Sequence, residues 1–247
     1  MIKPFSIILR AILPNPQHAM PMKQLVFGIM ASIFVSCLVI ANLTGAFLIN
    51  LPLPWGGNQL ISGGILTFPI TFLLTDMINE FYGEAGAKQI TWLGFVVVIG
   101  FSLLFQLLLH LPVSPITVIS LDTFTKVIAP FTNMIQASLI AYVVGQFLDI
   151  GLFRVFKHYT GNKYLWVRAT GSTLVSQLFD SFIVTFVAFW GTLSVEQMVA
   201  MGQGNYSVKV VAAILITPLL YLGHKLVFRL LGEKKAEAIV AEADEEG

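Results

Sequence analysis

Four acidic residues lie within or at the edges of long apolar segments of this sequence: Asp76, Glu80, Asp149 and Asp180. Residues 71–84, TFLLTDMINEFYGE, hold the first two, and residues 172–182, STLVSQLFDSF, hold the last. A carboxylate in hydrocarbon is costly, so such residues mark substrate sites and ion pathways in membrane proteins. We therefore predict that Asp76 and Asp180 serve a function rather than a packing role.

Amide side chains accompany these carboxylates, and the combination points to one kind of ligand. Carboxylates accept hydrogen bonds, and amides both donate and accept them. With Phe rings nearby for stacking, the set suits a planar, donor-bearing heterocycle with a guanine-like edge. The predicted substrate contacts are Asn42, Asp76, Asn79, Glu80, Asn133, Gln136, Asp149, Gln177 and Asp180.

Simpler roles stay open for several polar residues. Glu80 is close enough to the inner end of its segment to reach the membrane interface, and Asp149 has Arg154 nearby for a structural ion pair. Hydroxyl groups in transmembrane helices commonly bond to the backbone or to a neighbouring helix. We expect that role for Thr71, Thr75, Ser172 and Ser176.

The composition places most of the chain in lipid. Of 247 residues, 56% are hydrophobic and only 11% are charged, against about 25% charged in soluble domains. The mean hydropathy is +0.83. A net charge of +1 argues against nucleic acid as a partner. The single cysteine, Cys37, excludes an intrachain disulfide.

Six apolar runs are long enough to cross a bilayer, which needs about 20 helical residues. The sequence thus predicts an all-α integral membrane protein with one membrane domain over residues 1–247 and an acidic cytoplasmic tail at 232–247. Pro- and Gly-rich connections, among them LPLPWGGN and GQGN, separate the runs. The predicted spans are 24–50, 60–81, 88–111, 130–153, 167–193 and 207–231.

The distribution of positive charge predicts the orientation. If all six runs cross the membrane, every Lys and Arg of the 14 except Lys126 and Lys209 lies on one side. Positively charged loops face the cytoplasm. Both termini are therefore expected to be cytoplasmic. We also expect no Lys or Arg at the centre of a span to neutralise the buried carboxylates.

The polar residues of spans 2 and 5 repeat at a fixed offset of 101 positions. Thr71, Thr75, Asp76 and Asn79 correspond to Ser172, Ser176, Gln177 and Asp180. Because three is an odd number of spans, the second copy of a duplicated three-span unit must enter the membrane from the opposite side. The sequence predicts two inverted three-helix repeats with a substrate site between them, as in many secondary transporters.

No motif in the sequence supports catalysis. There is no P-loop, no HExxH, no GxSxG and no GxGxxG, and the four histidines and one cysteine form no metal pattern. We expect neither enzymatic activity nor a cofactor or metal. The remaining classes are a transporter and a structural or assembly protein of the membrane.

Three segments resemble one known family. ANLTG (41–45), TDMINEFYGEAGAK (75–88) and VSQLFDSF (175–182) are similar to the bacterial queuosine-precursor transporters, also called vitamin uptake transporters. The resemblance covers roughly residues 24–231. It implies that Asp76, Asn79, Glu80, Gln177 and Asp180 fall on the family's motifs.

The resemblance also implies a substrate and a location. The expected substrate is 7-cyano- or 7-aminomethyl-7-deazaguanine, taken up across the bacterial inner membrane by a secondary carrier or facilitator. The alternative is a substrate-binding membrane subunit that works with a separate ATP-driven energising module. The precursor transported, proton coupling and formation of a homo-oligomer stay open; the expected partners are a nucleobase-like small molecule and the lipid bilayer.

Overall fold

The computed structural model describes residues 21–53, 57–160 and 165–231. Within them the chain is mostly helical, with one short two-stranded sheet that the all-α prediction missed. The segment 1–20 and the predicted acidic tail at 232–247 lie outside the described residues. The elements are α1 (Met22–Thr44), β1 (Leu48–Leu53), β2 (Gly57–Ser62), a 3-10 helix (Gly63–Thr67), α2 (Phe68–His110), α3 (Leu121–Thr160), α4 (Leu165–Phe189) and α5 (Val195–Leu231).

Membrane-crossing segments dominate the part of the chain that the structure describes. By length and composition, four helical segments there could span a bilayer, namely Lys23–Thr44, Gly63–His110, Leu121–Gly145 and Val195–Ile216. Leu174–Phe189 is a shorter apolar helix. The protein is thus a multi-pass membrane protein, and the count of six spans stays a prediction.

Helix α2 is interrupted at Gly83, where the chain reverses. Gly83 has φ 67° and ψ −178°, a backbone conformation that is essentially restricted to glycine. Thr71 and Phe95, each twelve positions from Gly83, line the same cavity. In a straight helix they would be about 36 Å apart, because the rise is about 1.5 Å per residue. The two parts of α2 therefore fold back on each other.

The first two predicted spans have the wrong boundaries. Span 1 was expected over 24–50 and span 2 over 60–81, but Leu48–Leu53 and Gly57–Ser62 pair as an antiparallel hairpin. Apolar residues in these strands continue the hydropathy of the neighbouring helices, so hydropathy alone could not separate them. Ser62 anchors the hairpin, since its hydroxyl donates to the carbonyl oxygen of Gly45 at 2.7 Å.

The GQGN segment, predicted as a turn before span 6, is helical. Helix α5 begins at Val195 rather than near residue 207, and it passes close to β2. A Cβ atom added to Gly204 would lie 2.4 Å from the carbonyl oxygen of Leu60. Gly204 is thus required for a close approach of helix and strand. Because α5 begins at Val195, Lys209 lies well inside the helix.

The later helices also differ in length from the predicted spans. Helix α3 begins at Leu121, nine residues before the predicted start of span 4 at residue 130, and contains Pro130 in its interior. Helix α4 ends at Phe189, short of the predicted residue 193. The chain then turns through Gly191, whose φ is 80°, a value that favours glycine.

One buried cluster joins α1, both parts of α2 and α5. Phe34, Ile78, Ile90 and Val227 belong to it. At its edge the hydroxyl of Tyr82 donates to the carbonyl oxygen of Lys23 at 2.7 Å. These contacts hold the α2 reversal against the beginning of α1, on the opposite side of the helices from the hairpin.

Candidate functional site

The helices line a cavity of about 340 Å³, a size typical of small-molecule sites. All five helices, the 3-10 helix and the end of β2 contribute to its lining. The polar lining residues include Asn42, Thr71, Tyr142, Gln177, Asp180 and Lys209. The rest of the lining is largely apolar, so a ligand inside would have much of its surface against apolar side chains.

An ion pair between α4 and α5 is the strongest electrostatic feature of this cavity. The Lys209 ammonium donates to Oδ2 of Asp180. The side chain of Lys209 is 8% exposed and that of Asp180 is 31% exposed. The expectation that no basic residue neutralises the buried carboxylates is therefore wrong for Asp180. The reason is that α5 begins at Val195, which places Lys209 inside the helix bundle rather than at the outer end of a span.

An aromatic ring provides a second contact for the same ammonium group. Lys209 Nζ lies 5.1 Å from the ring centroid of Phe68, at the start of α2. A cation at this distance from the face of a ring is attracted by the ring quadrupole. The Lys209 ammonium group, carried by α5, is thus held by contacts with α4 and α2.

Gln177 has an unused hydrogen-bond acceptor in the cavity wall. Its Oε1 atom is buried and has no hydrogen-bond partner among the described residues. A buried acceptor left unsatisfied costs about 1–3 kcal/mol. A ligand in the cavity can supply the missing donor once the Gln177 amide turns toward it, because Oε1 itself is buried behind the cavity surface.

Gln177 and Asp180 lie three positions apart in α4, so they share one face of the helix. Lys209 donates to Oδ2 of the Asp180 carboxylate, and no hydrogen bond to Oδ1 is present among the described residues. The cavity therefore combines an acceptor on Gln177, an acceptor on Asp180 and a cationic donor on Lys209. This set can bind a ring edge that has two N–H donors beside a carbonyl.

Asn42, a predicted substrate contact, lines the cavity and forms hydrogen bonds with the protein. Its amide nitrogen donates to the carbonyl oxygen of Leu38 at 2.8 Å. Its carbonyl oxygen accepts from the hydroxyl of Ser138 at 3.1 Å. Asn42 therefore joins α1 to α3 and shapes the wall of the cavity.

The structure does not bring the residues of the first motif into this cavity. Asp76 is half-buried, Asn79 and Glu80 are exposed, and the lining includes none of the three. Thr71 and Thr75 donate to the carbonyl oxygens of Phe68 and Thr71, at 2.9 and 2.8 Å. The prediction that these threonines bond to the backbone is confirmed.

The remaining predicted contacts come from α3. Asn133 and Gln136 are exposed and do not line the cavity. Met134, Ser138 and Tyr142 do line it, at a spacing of four residues. Successive helical residues are about 100° apart, so positions 133 and 136 face elsewhere. The side chain of Asp149 lies outside the described residues.

Sequence reasoning missed two cavity residues of α5. Lys209 and Asn205 are both buried, and they lie four positions apart on one helical face. Asn205 Oδ1 accepts from the backbone N–H of Ser62 at 3.0 Å. The signal was the run NYSVKVVAAIL, in which one cation precedes continuous apolar sequence.

Comparison with known proteins identifies the family. A family model described as a putative vitamin uptake transporter matches residues 62–223. The chain belongs to the vitamin uptake transporter family. This family consists of transporters and not of enzymes, and the match confirms the resemblance carried by the motifs.

Three relatives of this vitamin uptake transporter have similar names. A probable queuosine precursor transporter of Bacillus subtilis is 31% identical over 166 residues, 66% of this chain and 72% of the relative. The queuosine precursor transporter of Escherichia coli is 26% identical over 204 residues, 79% and 87% of the two chains. A probable queuosine precursor transporter of Haemophilus influenzae is 28% identical over 160 residues, 62% and 63%. No solved structure matches the chain.

Proposed function

We propose that this protein imports 7-deazaguanine precursors of queuosine across the bacterial inner membrane as a secondary carrier. The names of its relatives supply the substrate class. The observation that carries the proposal is the meeting of Gln177, Asp180 and Lys209 in the wall of one cavity. The partners in this function are the small molecule and the lipid bilayer.

A guanine-like edge fits this donor and acceptor set. Such an edge offers a ring carbonyl, a ring N–H and an exocyclic amino group in a row. Lys209 donates to the carbonyl, while Asp180 Oδ1 and Gln177 Oε1 accept from the two nitrogen donors. A ring without these donors would leave the buried acceptors unpaired, so the site would discriminate against it.

The transport cycle requires access to the cavity from both sides of the membrane. We propose six spans with both termini in the cytoplasm and two inverted three-helix repeats that rock against each other. Asp76, Asn79 and Glu80 are the counterparts of the α4 motif in the first repeat. They would contact the substrate in the conformation that opens to the opposite side.

Uptake by the purified full-length chain in liposomes tests this function. We expect labelled 7-cyano-7-deazaguanine to accumulate in the vesicle lumen faster than in protein-free vesicles, and unlabelled ligand to compete. The matched control is Lys126→Met, which removes a lysine whose salt bridge with Asp122 is exposed. Binding without uptake would contradict the carrier and favour the alternative of a subunit that needs an ATP-driven module.

A further inference from the structure

The described lining of the cavity contains two formal charges that cancel. Asp180 supplies a carboxylate and Lys209 an ammonium group, and the other lining residues are neutral at pH 7. The described lining of the cavity therefore has a net formal charge of zero. This balance depends on Lys209, whose ammonium group is held in place by contacts with Asp180 and Phe68.

We infer that Lys209 sets the charge selectivity of the cavity and favours an uncharged planar ring over one that bears an ammonium group. The inference rests on the proposed function and deepens it, because it assigns a residue to the choice between precursors. Lys209 thus disfavours a cationic substituent on the ring. The ring edge that contacts Asp180 and Gln177 is the same with or without that substituent.

The physical argument is the cost of a second buried cation. A charged group taken out of water needs a buried partner of opposite sign, and an unpaired one is strongly unfavourable. Asp180 is already paired with Lys209, and the Phe68 ring face is already next to the same ammonium. An incoming ammonium would meet like charge and no free anion. A neutral ring carries no such cost.

Two natural probes share the ring and differ in the substituent at position 7, one neutral and one charged. 7-Cyano-7-deazaguanine and 7-aminomethyl-7-deazaguanine share the ring and the guanine-like edge, and the second carries an amine that is protonated at pH 7. Equilibrium binding of each ligand to the purified full-length protein in nanodiscs gives two dissociation constants. We expect the wild type to bind the cyano compound about tenfold or more tightly, a difference of about 1.4 kcal/mol.

Variants that alter the charge of the cavity test the inference directly. Lys209→Met leaves Asp180 free, so the preference should reverse toward the aminomethyl compound. Lys209→Arg keeps the charge and should keep the preference. The double variant Lys209→Met, Asp180→Asn is neutral again and should once more favour the cyano compound, although with weaker binding. Lys126→Met changes the net charge of the protein at an exposed site and should change neither constant.

The outcomes separate this inference from the proposed function. If the wild type binds neither ligand, both the proposed function and the inference fail. If it binds both equally, or if Lys209→Met keeps the wild-type ratio, the function stands and the inference is wrong. Should Lys209→Met not fold, Asp180→Asn tests the same point, because it leaves a net cation and should increase the preference for the neutral ligand. An unchanged ratio in that variant would overturn the inference.

Discussion

Lys209 of α5 contacts Asp180 of α4 inside the helix bundle, 29 positions away along the chain. The pair links two helices at the wall of the cavity and leaves one carboxylate oxygen for a further donor. Because the lysine is almost fully buried, the pair contributes to both the stability of the bundle and the chemistry of the cavity.

Breaking this pair from one side should destabilise the protein more than removing both charges. Asp180→Asn strands a buried cation, and Lys209→Met strands a carboxylate. Each single change is expected to lower the free energy of unfolding, by less than the roughly 3–5 kcal/mol of a fully buried pair, since Asp180 is 31% exposed. Chemical denaturation of the two single variants and the double variant gives the coupling energy. Additive losses would show that the two charges do not interact.

Gln177→Leu should weaken ligand binding without loss of stability. The buried Oε1 has no partner in the described structure, so an apolar side chain of similar size removes an unsatisfied acceptor rather than a hydrogen bond. We expect a loss in affinity of about tenfold or more and an unfolding midpoint at or above that of the wild type.

Gln106→Leu is the matched control for that change. The Gln106 side chain donates to Thr132 Oγ1 at 3.3 Å and does not line the cavity. Its affinity should therefore match that of the wild type. A stability loss in Gln177→Leu with unchanged affinity would contradict the proposed role of Gln177.

Gly204→Ala should displace the hairpin from α5. The new methyl group would lie 2.4 Å from the Leu60 carbonyl oxygen, so the strand or the helix must move. Overpacking of this kind costs about 1–3 kcal/mol. Gly100→Ala is the control, because no atom lies within 4 Å of the added carbon. Thermal unfolding of both variants decides the point, and equal midpoints would refute the close approach.

Asp76→Asn should reduce transport more than binding. Asp76 does not line the cavity, whereas the proposed inverted repeat would bring it to the substrate in the opposite-facing conformation. Equilibrium affinity should stay within about twofold of the wild type, a change of less than 1 kcal/mol, while initial uptake rates in liposomes fall. A loss of affinity as large as that of Asp180→Asn would instead show that both carboxylates bind the ligand in one state.

Residue chemistry in the sequence identified one half of the cavity. Gln177 and Asp180 stood out because polar residues in an apolar segment are costly unless they have a role, and both line the cavity. Lys209 was missed because it was placed at the outer end of the predicted span 207–231, next to a predicted turn. That error came from Gly204, which indicates a turn by composition but serves helix packing in the structure.

Helix boundaries were predicted less well than helix positions. Hydropathy measures apolar content, so it could not distinguish the strands at Leu48–Leu53 and Gly57–Ser62 from continued helix. The reversal at Gly83, by contrast, falls between the predicted spans 60–81 and 88–111. Long-range contacts determine the pairing of the two strands, and a local pattern contains no information about them.

Binding of matched rings tests the central claim most directly. Isothermal titration gives the affinity of the purified protein for 7-cyano-7-deazaguanine and for its analogue lacking the exocyclic amino group. The two rings have nearly the same shape and differ in that one donor group. If Gln177 and Asp180 bind the guanine-like edge, the complete ring should bind about tenfold or more tightly. This advantage should fall in Asp180→Asn. Equal affinities for the two rings in the wild type would contradict the assignment of this cavity as the substrate site.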